Sequence, residues 1–260
     1  MTSLPPVVPR LPTENPYRRN LAPGSAFLWL RAGWRDLMTM PAPSLARGSI
    51  AFLISIAIIA GLVFFQMDYV LFPALAGFLI LAPMLAIGLY AKSRAIERGE
   101  MAAADRLVIL QGKTGIQLLF IGALLCGLLL LWMRAAVILY ALFFGVRPFP
   151  GLDHIAPMLF TTPTGWAMLI VGTLVGGLFA AFAFAISAFS IPMLVDEPVD
   201  ALTAMGTSWA LVWNNLAAML VWGAVVLGLF LASLATGLLG LIIVFPWLGH
   251  ATWHAYRAVR

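Results

Sequence analysis

Charge is what this chain has least of. Only 10% of its residues are Asp, Glu, Lys or Arg, against about a quarter in an ordinary soluble domain, which excludes a soluble fold with a hydrated surface. A single cysteine, Cys126, sits in an apolar run, so no intrachain disulfide can form. Histidine is almost as scarce, with His154, His250 and His254 the complete set. Two haems and a copper need several histidines deep in the membrane, so haem-copper oxidase catalysis is excluded. No Gly-rich phosphate loop occurs, and no Ser-His-Asp or Cys-His arrangement can be assembled. The apolar runs hold no Asp, Glu or Lys, which argues against ion-coupled transport. No catalytic residue and no cofactor follow from the sequence.

Hydrophobic residues, in contrast, make up 63% of the chain, and the mean hydropathy is +1.01. Val70–Gly99 shows the pattern best, with about twenty apolar residues followed abruptly by Lys92, Arg94 and Arg98. At about 1.5 Å per residue such a run crosses a ~30 Å hydrocarbon layer as a helix. The expected fold is all-α, a polytopic transmembrane bundle of about six spans arranged as three hairpins with amphipathic interfacial helices. Residues 1–24, with six prolines from Pro5 to Pro23, read as a flexible cytoplasmic tail and 25–260 as the membrane domain.

Charge placement gives the orientation. Of fifteen Lys and Arg, six precede the first span, five lie between Lys92 and Lys113, and two are in the last four residues. Lys and Arg collect on the cytoplasmic side of short loops, so both termini are expected in the cytoplasm. The net charge of +5 then reflects membrane flanks and lipid headgroups rather than nucleic acid. Arg134 interrupts the third span near its far end, where its side chain can reach the interface.

Helical spacing picks out further positions. Ser25–Met40 and Ala201–Asn215 read as helices lying in the headgroup layer. Trp29, Arg31, Trp34 and Arg35 on the first, Trp209 and Trp213 on the second, and Trp253 near the end are candidates for lipid contact. Thr173, Gly177, Ala181 and Ala185 recur every four residues, and Gly228 and Ala232 belong to a second strip. Such strips let a neighbouring backbone approach closely. Pro83, Pro192 and Pro246 stand in similar contexts, Ala82-Pro83-Met84-Leu85, Ile191-Pro192-Met193-Leu194 and Phe245-Pro246-Trp247-Leu248. Each would kink an outward-to-inward helix, which suggests three repeats of one hairpin. His250 and His254 share a helical face at metal-ligand spacing, but the sequence offers no third ligand, so interfacial histidines are the expected reading.

Several of these residues carry a resemblance. Gly33-Trp34 with Asp36-Leu37, the Ala76-Gly77-Phe78 to Ala82-Pro83 run with Gly88-Leu89-Tyr90, and Ser93-Arg94 with Glu97 are among them. So are Ala201–Asn215 and Gly249-His250-Ala251-Thr252-Trp253-His254 with Tyr256-Arg257. Together they resemble the bacterial membrane proteins grouped as domain of unknown function 2189, over most of residues 30–257. Lys92 departs from that pattern, standing where an acidic residue is expected. The family has no established activity, and some members bear a label as cytochrome c oxidase components. The resemblance implies a bacterial inner membrane and an accessory place beside a respiratory complex.

The functional expectation is a non-catalytic accessory, assembly or stabilising subunit of a larger membrane complex. Its partners would be lipids and other integral membrane subunits. The alternative is a transporter or lipid-handling protein for neutral or amphipathic solutes.

Overall fold

A computed structural model describes residues 15–100, 112–145 and 150–260. The helices are α1 (Ser25–Thr39), α2 (Pro41–Phe64), α3 (Leu71–Leu85), α4 (Ile87–Arg98), α5 (Gly112–Phe144) and α6 (Leu152–Thr161). They continue with α7 (Pro163–Ser187), α8 (Ser190–Asp196), α9 (Ala201–Asn214), α10 (Leu216–Ala235) and α11 (Leu241–Val259). The described residues contain no strand. Five helical stretches are long and apolar enough to cross a membrane: Pro41–Phe64, Leu71–Arg98, Thr114–Phe144, Pro163–Asp196 and Leu216–Ala235. With α11 they make roughly the six expected spans. That last helix is less apolar because its second half carries His250, His254 and Arg257.

The bundle is apolar outside as well as inside, unlike a soluble protein. Phe64, Leu142 and Leu178 are largely exposed, whereas Lys92, Ser93 and His250 are buried. In water that outward apolar surface would drive aggregation; against acyl chains it costs nothing, and the polar groups turn inward to find partners.

Proline sets the breaks. α1 stops at Met40 and α2 begins at Pro41, which has no N–H to offer a preceding turn and suits a helix's first position. The first span therefore starts at Pro41. Pro83 precedes the break between α3 and α4 at Ala86. Pro192 follows the break between α7 and α8, where buried Ser208 of α9 repairs the ladder by accepting from Phe189 N–H and donating to the Ala185 carbonyl. Pro246, in contrast, lies inside an uninterrupted α11. Thr236–Gly240 is the turn between α10 and α11, dividing the last apolar stretch into two helices.

The three segments that follow these prolines converge, since α4, α8 and α11 all pack on one another. The two flanking amphipathic helices repeat one relationship. α1 precedes the first hairpin and packs on α11, the last helix of the third; α9 precedes the third hairpin and packs on α7 and α8 of the second.

Residues 1–14 of the proline-rich tail lie outside the described residues, as does the charged stretch 101–111. From Asn15 onward the tail is docked rather than free. Asn15 Nδ2 donates to Asn214 Oδ1 at 2.7 Å, and Asn215 Oδ1 accepts from Arg19 N–H at 2.9 Å. Arg19 Nε donates to the Val259 carbonyl at 2.9 Å, capping the C-terminus of α11. The two ends of the described chain therefore meet on one face of the bundle. Between Pro150 and Pro163 the chain forms α6, which packs against α7.

Candidate functional site

Two features stand out, a polar chain under the α1–α2 corner and an apolar cleft beside α10. The first begins at Lys92, on α4 and 1% exposed. Its ammonium donates to the Met40 carbonyl, where α1 ends and backbone carbonyls lack helical partners, and to Ser44 Oγ at 2.5 Å. Ser44 Oγ lies 2.9 Å from His250 Nε2, and His250 Nδ1 lies 2.7 Å from Ser93 Oγ. Ser93 in turn donates to Asp36 Oδ2 at 2.7 Å.

The proton positions follow from counting donors. Ser93 has one hydroxyl hydrogen and gives it to Asp36, so His250 Nδ1 must carry a hydrogen and donate to Ser93. His250 Nε2 then accepts from Ser44, which itself accepts from Lys92. Every bond runs from the cation toward the anion, with His250 neutral and protonated on Nδ1. His254 Nε2 donates to the same Asp36 oxygen at 2.8 Å and is partly exposed. Burial pushes the Asp36 carboxyl up, but the hydrogen bonds from His254 and Ser93 outweigh it and hold it below its ordinary value. Four helices are joined by this chain: α1, α2, α4 and α11.

An ionic collar adjoins it where α4, α8 and α11 end. Arg98 pairs with Asp196 at 3.0 Å, and Arg257 reaches Glu97 at 2.9 Å and Asp196 at 3.4 Å. Arg260 grips Glu197 with two bonds, Tyr256 Oη donates to Asp196 at 3.2 Å, and Trp253 Nε1 donates to Glu97 at 3.0 Å. The Arg260 guanidinium holds the Glu197 carboxyl below the usual range, against a smaller upward push from burial.

The cleft has a volume of about 760 Å³, within the ~300–1,000 Å³ span of small-molecule sites. α7 and α10 form its sides, and α3, α4 and α11 its back. Trp209 and Trp213 of α9, their rings stacked 6.2 Å apart, stand at the end nearest the chain termini. Phe78 at the back stacks on Phe230, with centroids 5.5 Å apart. Small residues make the space, with Ala181 and Ala185 on α7 and Gly223 and Ala224 on α10. No Asp, Glu, Lys, Arg or His is among the lining residues. Tyr90 lines the cleft and is 2% exposed, yet among the described residues its hydroxyl has no hydrogen-bond partner.

Comparison with known proteins then supplies one relationship. Residues 71–196 match the family model of DUF2189, described as a predicted integral membrane protein. The match runs from the first residue of α3 to the last of α8. It takes in Lys92 and Ser93, one side of the cleft and Tyr90; it leaves out α1, α2 and α9 to α11. The resemblance read from the sequence is thus met over that stretch, whereas its other stretches, near Gly33, Ala201–Asn215 and Gly249–Arg257, lie outside it. No curated protein and no solved structure matches the chain.

The residues singled out from sequence fall in several places. Arg31, Trp34, Arg35, Trp209 and Trp213 are exposed. Trp29 and Trp253 are not at the lipid surface, being 5% and 1% exposed. Trp29 packs edge-on against Trp222, while Trp253 is drawn inward by its bond to Glu97. Arg134 is exposed on α5. Thr173, Gly177 and Ala181 face outward, as do Gly228 and Ala232, while Ala185 is buried. His250 and His254 both join the polar chain, His250 with both ring nitrogens engaged. Among the described residues no group of three His, Cys, Asp or Glu is placed to hold a metal ion. Sequence reasoning missed Ser44 altogether, took Asp36 and Ser93 only as marks of the resemblance, and gave Lys92 no role. The available signal was a polar residue one or two turns inside the end of each apolar run.

Proposed function

We propose that this integral membrane protein is a lipid-handling protein that takes the aliphatic part of a lipid into the cleft between α7 and α10. The observation that carries this reading is the cleft itself, sizeable, apolar and floored by aromatic rings. An apolar void facing acyl chains fills with them, because an empty one forfeits the dispersion contacts of its walls. Filling the cleft tests the reading. Gly223→Trp and Ala224→Trp, purified in nanodiscs beside the wild type, should fold with unchanged helix content and lose the lipid that mass spectrometry finds on the wild-type protein. Equal lipid retention in all three would contradict it.

A second reading, an accessory subunit of a larger membrane complex such as a respiratory one, draws on the outward strip of Thr173, Gly177 and Ala181. Among the described residues, nothing beyond the glycine's own stretch of helix lies within 4 Å of a Cβ built on Gly177 or Gly228, which leaves room for a partner's backbone. Mild-detergent purification at native abundance separates the two readings. Stoichiometric co-migration with other membrane subunits supports the second, and a solitary lipid-loaded protein supports the first.

The charge bias supports a bacterial inner membrane with both termini cytoplasmic. Alkaline-phosphatase fusions at either end should then be inactive, and an active one at the C-terminus would reverse the orientation.

A further inference from the structure

The few polar groups in the cleft restrict what its ligand can carry at the other end of its chain. The polar side chains among its lining residues are Tyr90, Ser187, Trp222 and the exposed Trp209 and Trp213, with Thr252 already donating to the Leu248 carbonyl. Tyr90, Ser187 and Trp222 are each at most 2% exposed, and among the described residues none of the three has a side-chain hydrogen-bond partner. They lie near the start of α4, at the end of α7 and in the first half of α10.

A phosphate or carboxylate head would need a cation to replace its water, and an ammonium head would need a carboxylate. Neither is among the lining residues. An indole N–H only donates, and a phenol donates more readily than it accepts. The set therefore calls for a neutral acceptor.

Resting on the lipid reading of the cleft, we propose that its ligand is an uncharged lipid with a carbonyl head, whose oxygen accepts a hydrogen bond from Tyr90. Two sources share that chemistry, the ester carbonyl of a neutral glycerolipid and the ring carbonyl of an isoprenoid quinone. Tyr90 is the anchoring residue, and Ser187 and Trp222 complete the polar end. In hydrocarbon the bond has no competing water, so losing it is felt directly in occupancy.

Four diazirine-tailed probes test this on the full chain in nanodiscs: a diacylglycerol, a quinone, a fatty acid and a plain alkane, with crosslinks mapped by mass spectrometry. The proposal expects the diacylglycerol or the quinone to label Ala181 to Ala185 or Gly223 to Leu227, the probe that does so naming the source. Tyr90→Phe, which keeps the ring, should cut that labelling about fivefold and leave alkane labelling unchanged. Unchanged carbonyl-probe labelling in Tyr90→Phe, or fatty-acid labelling as strong as that of the neutral probes, would overturn the proposal while leaving the cleft a lipid site. If the alkane too fails to label the wild-type cleft, the lipid reading itself falls, and the proposal with it.

Discussion

Gly48 of α2 lies against the main chain of α11 at Ile242, so close that a Cβ built on it would overlap the Ile242 carbonyl oxygen. Four residues further on stands Pro246, which has no N–H to return to that carbonyl. Proline frees the oxygen and glycine lets the neighbouring helix cover it. Gly33 of α1 makes a similar approach to the backbone of Ala251. α11 is thus held between α1 and α2 by contacts that only glycine allows.

Gly48→Ala should destabilise the folded protein by about 1–3 kcal/mol, the usual cost of forcing atoms into a packed contact. Gly61→Ala, on the same helix with open space around it, should be neutral or slightly stabilising. Thermal unfolding in one detergent compares the two, and equal midpoints would show that α2 and α11 are not so closely packed.

Ser93→Ala should cost about 1–3 kcal/mol, because it leaves His250 Nδ1–H buried without an acceptor. In the wild type, nitrogen NMR of labelled histidine should find His250 neutral with its proton on Nδ1. A proton on Nε2 would reverse the assigned direction of the chain from Lys92 to Asp36.

Acid should act through Asp36. Its carboxyl is held below its ordinary value in the folded protein, so the unfolded chain takes up the proton first as pH falls. The stabilisation is complete above the ordinary carboxyl range and is lost as pH drops below about 4. Asp36→Asn should be less stable than the wild type at pH 7 and should lose less of its remaining stability between pH 5 and pH 3. Parallel stability curves would remove Asp36 from this role.

The collar should behave as a salt-sensitive clasp. Arg257 serves both Glu97 and Asp196 but is nearly half exposed, so Arg257→Ala should cost no more than about 1 kcal/mol, less at high salt. Arg257→Glu, placing like charges together, should cost more and recover partly on adding salt. A loss independent of ionic strength would point to packing instead.

The sequence made the helical class, the rough number of spans and the span that starts near Val70 legible, since these follow from apolar run length. It also showed the three proline contexts, and the segments after them do converge. What it hid were relationships across helices. Lys92 reads as one more basic residue at a membrane flank, and nothing local shows that it turns inward under Met40. Asp36 and Ser93 are 57 residues apart, and Trp29 and Trp253 sit on helices whose tryptophans suit a lipid surface equally well. The cleft was invisible for a related reason: Ala181 and Gly223 read as packing positions, and whether small residues admit a helix or leave a hollow depends on what faces them.

A high-resolution structure of the protein in lipid nanodiscs tests the central claim most directly. The account predicts elongated density between Ala181 and Ala224, reaching toward the Tyr90 hydroxyl. A cleft closed by direct packing of α7 on α10, with no density between them, would contradict it.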